Sequence, residues 1–164
     1  MKKHEKKIIS ILIIVVVICI ISIIYLLLTR EKPDYAPIKI DPNAVEINDK
    51  KSKKLKSAKG GGAVALSYDS NAKIDNKTKN ITLQFKNPSQ SNQNMTLKVV
   101  VEKNTIAESA LLPPGYTIYN LKLKDNVLLE KGDYKGEFVV NYYDEKNMEK
   151  ASLDTVIPIK IKVQ

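Results

Sequence analysis

An all-β domain carried behind one membrane-spanning helix is what the sequence predicts, and three observations predict it. One uninterrupted apolar run stands near the N-terminus, the apolar residues beyond about residue 63 repeat with period two, and no later stretch repeats with helical period. The chain has 164 residues and a formal charge of +9. Setting aside the apolar run, the basic start and a charged linker leaves about 100 residues, enough for one domain with a single core.

Residues 1–7 form a basic tail in which Lys2, Lys3, Lys6 and Lys7 outweigh Glu5. From Ile8 to Leu28 there follow 21 residues without a charge, 17 of them Ile, Leu or Val, interrupted by Ser10, Cys19, Ser22 and Tyr25. At about 1.5 Å per residue such a helix is roughly 31 Å long, the thickness of a bilayer's hydrocarbon core. The run exceeds a signal-peptide core, and Leu26 to Arg30 offers no small-residue cleavage pattern. Ile18 is too large for the position before a lipoprotein cysteine at Cys19. A permanent anchor across the lipid bilayer of the cell membrane is therefore expected. The lysines before the helix outnumber the bases shortly after it, which puts the N-terminus in the cytoplasm and the C-terminal domain outside.

Residues 29–62 read as a Pro/Lys/Gly-rich linker, with Pro33, Pro37 and Pro42, a lysine run, and Gly60, Gly61 and Gly62. The charge is concentrated there and in the tail. Residues 1–7 carry +3, residues 29–63 carry +4 and residues 64–164 only +2. As a flexible coil the linker would reach about 30–35 Å. Lys50, Lys51, Lys53, Lys54, Lys56 and Lys59 are the candidate contacts to anionic lipid or to an anionic wall polymer. A solvated, self-repelling spacer is the alternative, and a short extended piece at Ile38 to Ile40 is free to pair with the domain.

Residues 63–164 are the predicted extracytoplasmic domain. Alternation marks strands at Val64–Tyr68, Ile81–Phe85, Met95–Val101, Tyr119–Leu123, Tyr134–Tyr142 and Ile157–Val163, with a short seventh near Thr105–Ser109. Turn chemistry separates them at Asp69–Asn76, Asn87–Asn94, Pro113-Pro114-Gly115, Lys131-Gly132-Asp133 and Asp144–Asn147. About seven short strands in this rhythm read as an immunoglobulin-like antiparallel β-sandwich. Pro158 then belongs on an edge or at a bulge. The spacing Leu129-x-x-Gly132-x-Tyr134 is that of a tyrosine corner, whose hydroxyl bonds back to the loop before it.

Composition excludes several chemistries. The one histidine, His4, and the one cysteine, Cys19, lie outside the domain, so His-based acid–base work, Ser-His-Asp and Cys-His pairs and Cys/His zinc sites are all missing from it. No disulfide forms within the chain. No catalytic residue, cofactor or metal site is expected. Asp69, Asn71 and Asp75 resemble a calcium loop only superficially, since Lys73 takes a ligand position and no glycine turns the loop. Asp144, Glu145 and Glu149 sit among Lys146 and Lys150 in a hairpin turn and read as solvated. The sequons at Asn76, Asn80 and Asn94 are what an Asn-rich chain produces by chance. Twenty-six of 27 basic residues are Lys, the usage of an AT-rich bacterial genome, and the lysine run lacks the interleaved aromatics and arginines of a nucleic-acid site.

Asp41-Pro42-Asn43-Ala44, Asn87-Pro88, the Ser109–Gly115 run SALLPPG and the Leu129–Tyr134 run LEKGDY together resemble small single-pass, surface-facing immunoglobulin-like proteins of Firmicutes. The resemblance spans about Ile38 to the C-terminus and implies fold and location, with no activity to carry over. Recognition rather than reaction is therefore expected, with a protein partner at the cell surface or, alternatively, a carbohydrate or anionic wall polymer. No nucleic-acid partner is expected. If Tyr134, Phe138, Val140 and Tyr142 point inward, Val139 and Tyr143 point outward, as does Val100 on its strand. Val100, Val139 and Tyr143 are the candidate partner patch.

Overall fold

The computed structural model describes residues 3–29, 34–47, 53–57 and 61–164. They divide into two compact units at Pro33/Asp34. The first holds one helix, α1 (Lys3–Leu28). Its stretch Ile11–Leu28 is long and apolar enough to cross a membrane. Within it Ser22 Oγ donates to the Ile18 carbonyl at 2.9 Å, and just past its end Thr29 Oγ1 donates to that of Tyr25 at 2.8 Å.

The second unit is β throughout. Its strands are β1 (Ala44–Glu46), β2 (Ser67–Tyr68), β3 (Asn71–Asp75), β4 (Asn80–Asn87), β5 (Gln93–Val101), β6 (Asn104–Glu108), β7 (Tyr116–Lys122), β8 (Gly132–Asp144) and β9 (Lys150–Val163). All belong to one hydrogen-bonded sheet in the order β1-β7-β4-β3-β9-β8-β5-β6, with β2 on β4. Every pairing is antiparallel except β3 with β9. The sheet curls on itself into a half-barrel. Phe85 of β4 and Phe138 of β8 stand three strands apart along it, yet their fully buried rings meet edge to face at 6.1 Å. Around them pack Ile81, Met95, Leu97, Val99, Leu121, Val140 and Ile161, inward members of the period-two pattern, together with Ile74, Leu112 and Ile118, which lie outside the predicted strands.

Several expectations are corrected. Among the described residues nine strands are found where about seven were expected, because β1 and β3 carry weak signals. The predicted turn Asp69–Asn76 contains β3, whose Ala72 and Ile74 are buried and which runs parallel to the end of β9. The predicted first strand Val64–Tyr68 enters the ladder only at Ser67 and Tyr68. Its earlier part is held by the loop after β4, where Ala63 N donates to Asn92 Oδ1 at 2.7 Å and Ala65 N to Ser91 Oγ at 3.0 Å.

The linker is also shorter than expected, since Asp34–Ile47 belongs to the folded unit. Ala36 N donates to the Met148 carbonyl at 2.9 Å, Lys150 N to that of Asp34 at 2.8 Å, and Leu111 N to that of Lys39 at 3.1 Å. Ile40 therefore bridges Leu111, the pairing left open for Ile38 to Ile40. Asp41 fastens the segment: its carboxylate is buried and accepts from Asn43 N and Ala110 N, both at 2.8 Å.

The turn motifs do what their residues dictate. Tyr116 N donates to the Pro113 carbonyl at 3.2 Å and Gly115 has φ 87°, a type II turn with proline and glycine at its two central positions. Tyr134 Oη donates to the Glu130 carbonyl at 3.0 Å, closing the expected tyrosine corner. Pro158 lies on an edge as expected. Lys160 N donates to the Ser70 carbonyl, so Pro158, two residues earlier, aims its nitrogen to the same side, before β3 begins to pair. No ladder bond is lost there.

The β5–β6 hairpin is less well provided. Val101 pairs with Asn104 across a two-residue turn in which Glu102 and Lys103 have φ of 49° and 67°. Asn-Gly suits this geometry and Glu-Lys does not. Glu102→Asn combined with Lys103→Gly is expected to raise the unfolding free energy by about 0.5–2 kcal/mol, read as a higher urea midpoint at unchanged slope.

Candidate functional site

On the outer face of the sheet, opposite the core, β5, β8 and β9 set their outward residues in register. Val100 stands opposite Glu137, which stands opposite Pro158; Lys98 stands opposite Val139, which stands opposite Val156. Val100 and Val139 are half-buried, and Val156 is 55% exposed. The apolar patch therefore comprises Val100, Val139, Val156 and Pro158. The last two were missed because facing residues on different strands cannot be paired from sequence alone.

Tyr143 does not belong to this patch, which corrects the expectation. It points outward, as its parity requires, but it is only 5% exposed and packs with Ala36, Leu111 and Met148 in a small separate cluster. The segment beginning at Asp34 covers it. It also lies four residues from Val139, about 13 Å along the strand. Between them runs a polar row, Thr96, Asn141 and Asp154, in register across β5, β8 and β9.

Beside the patch, β9 presents an open edge. At one end Asp34–Ala36 covers the edge near Lys150, and at the other β3 pairs from Lys160 onward. Between them Leu153 (78% exposed) and Val156 flank backbone that no described strand pairs on that side.

Of the lysines predicted to touch polymer or lipid, Lys50, Lys51 and Lys59 lie outside the described residues. Lys53 and Lys56 are exposed. Lys54 is committed to the folded unit: its Nζ donates to the Ser91 carbonyl at 2.6 Å and pairs with Glu145 at 3.0 Å.

The acidic residues of the turns have structural employment. Asp144 Oδ1 accepts from Lys146 N at 2.8 Å and Asn147 N at 3.1 Å. Those bonds, Asn147's first, hold its carboxyl below the usual range. Asp75 is lowered chiefly by the backbone N–H of Lys77, and Asp69 by that of Asn71. Each carboxylate closes its own turn. Burial raises the Tyr142 hydroxyl, although it donates to Thr155 Oγ1 at 2.7 Å, so it stays protonated at neutral pH. Two sequon asparagines are likewise occupied: Asn76 Nδ2 donates to the Leu129 carbonyl at 2.8 Å, and Asn94 is buried against Met148.

No family model matches the chain, and no curated protein matches it. Among solved structures it is similar to the periplasmic chaperone SfaE, at 11% identity over 62% of this chain, with a TM-score of 0.38. It spans 56% of that chaperone's length. It is also similar to AggA, the major subunit of the aggregative adherence fimbriae type I of Escherichia coli, at 9% identity over 69% of this chain and 100% of that one, with a TM-score of 0.35.

Proposed function

We propose that this is a non-enzymatic, membrane-anchored surface protein of a Firmicutes-type bacterium whose domain recognises a protein partner. In this reading α1 is a permanent single-pass anchor with its N-terminus in the cytoplasm, and the curled sheet is an immunoglobulin-like sandwich whose two faces are joined through β3. The observation that carries the reading is the apolar patch Val100, Val139, Val156 and Pro158 beside the open edge of β9. An extended partner segment gains backbone hydrogen bonds along such an edge and side-chain burial on the adjoining face.

Val156→Lys with Val139→Lys tests this. Both sites are outside the core, so thermal unfolding is expected to shift by no more than about 1–2 °C. A photo-crosslinker at Leu153 in the full chain, in its own membrane, is expected to yield one adduct of defined mass that the double variant loses by tenfold or more. The same crosslinker at exposed Thr82 on β4 should yield none. An adduct equally strong in the variant, or from Thr82, sinks the reading.

A further inference from the structure

We propose that the outer face of β3, β9 and β8 binds a linear phosphodiester polymer of the polyol- or sugar-phosphate class, through Lys73, Lys135, Lys160 and Lys162. The site adjoins the apolar patch, since Val100 and Pro158 line a hollow together with Lys135 and Lys160, but its chemistry does not depend on the protein-partner reading; only the source of the polymer follows from an extracytoplasmic domain.

The register carries the inference. Lys73 of β3 stands directly opposite Lys162 of β9, and Lys160 of β9 directly opposite Lys135 of β8. All four are exposed, on the face away from Ala72, Ile74, Ile159 and Ile161. Like charges directly opposite on paired strands are destabilising, and here two such pairs are adjacent. Their Cβ atoms are about 5 Å apart across strands, and successive outward positions on one strand are about 6.6 Å apart. Asp133 stands opposite Lys162, and Glu137 and Glu102 lie beyond Lys135, so lysines remain in excess on this face. Among the described residues none of the four ammonium groups meets a carboxylate, whereas Lys54, Lys98, Lys124 and Lys150 each do.

The surface is also concave. A hollow of about 650 Å³ lined by Lys73, Lys135, Lys160 and Lys162, with Asp133 among them, adjoins another of about 570 Å³ that shares Lys135 and Lys160 and continues past Gly136 to Lys103, where Glu102 and Glu137 also line it. The two make one trough across the strands. One small anion touches only one or two of these exposed lysines. A chain with one negative charge per repeat engages all four, each adding a modest, salt-screened attraction. Repeated anions on a flexible chain are thus the complement of this face.

The test uses the full chain in zwitterionic detergent, with a poly(glycerol phosphate) oligomer of defined length as probe, at about 0.1 M salt and above. The unsubstituted chain is expected to bind with a steep salt dependence, about 0.7 of a logarithmic unit per lysine–phosphate contact. Lys→Gln at positions 73, 135, 160 and 162 is expected to lower affinity by about 10²-fold or more and to flatten the slope by about three. The same variant should unfold at an equal or higher temperature, because two like-charge pairs are relieved. A second variant, with Gln at Lys50, Lys51, Lys53, Lys56 and Lys59, should keep most of the affinity and slope. The proposal is overturned if the oligomer does not bind, if the second variant and not the first loses binding, or if anionic vesicles or duplex DNA bind through the four lysines better than the oligomer does.

Discussion

Phe138→Ala is expected to lower the unfolding free energy of the β unit by about 3–5 kcal/mol, a large part of the 5–15 kcal/mol typical of a domain. Phe138 is fully buried, stands opposite Val99 and Ile157 in its ladders, and touches Phe85 edge to face at 6.1 Å. Truncation removes the aromatic pair, about 0.5–1.5 kcal/mol beyond its area. It also leaves a void that the strands around it, held on both sides by ladders, cannot close. Phe138→Leu, which fills most of the space, should cost much less, about 1–2 kcal/mol. Denaturant unfolding of the full chain followed by tyrosine fluorescence measures both, there being no tryptophan. A loss below about 1 kcal/mol for the alanine variant would mean that the sheet does not close over this contact.

Asn87→Asp is expected to be comparably damaging although it replaces a single NH2 by oxygen. Asn87 is fully buried, and its Nδ2 donates to the carbonyls of Gln93 at 3.0 Å and Leu112 at 2.9 Å. It thereby ties the end of β4 to the start of β5 and to the run before Pro113. Among the described residues its Oδ1 has no hydrogen-bond partner. A carboxylate there turns an acceptor toward two acceptors, out of water, at a cost of about 3–5 kcal/mol at neutral pH. The acidic form recovers one donor, so folding raises this carboxyl's pKa above its unfolded value of about 3.9. The recovered stability is fully present below that value and is lost as pH rises through the folded pKa. The variant should therefore be closest to the parent protein in acid, while Asn87→Ala shows no such pH dependence. Unfolding midpoints between about pH 3 and 7 distinguish them, and equal losses at every pH would show that the two carbonyls find other donors.

What the sequence discloses is what local chemistry controls. The long alternations that became β4, β5, β8 and β9 were legible because each places three or more large apolar residues on one face. The Pro113–Tyr116 turn, the tyrosine corner at Tyr134 and the edge position of Pro158 were legible because each rests on a few neighbouring residues. β3 was not, since Ala72 and Ile74 are its whole inward face and its parallel partner is the end of the chain. β1 has almost no side-chain signal and exists through backbone bonds to β7. Parity set Tyr143 on the correct face, and no local pattern shows that a segment from near the other terminus lies over it. The four lysines were visible only as scattered charge, since opposition across strands is a property of register.

The stitching of Asp34–Ile47 also has a mechanical consequence. The lysine-rich stretch was expected to be the tether; instead it lies between two attachments on one folded body, Ile47 N to the Gly115 carbonyl on one side and Ala63 N to Asn92 on the other. A pull transmitted along α1 arrives first at Asp34–Ala36, at the end of β9, then at Lys39–Asp41 and β1. While those bonds hold, the lysine stretch bears no tension. Once they and the bonds of Lys54 and Leu55 to the loop after β4 peel away, residues 34–62 pay out as about 100 Å of extended chain, while the core around Phe85 and Phe138 stays shut. If α1 is the anchor proposed above, the molecule carries slack behind a sacrificial catch, a shock absorber set in series with it.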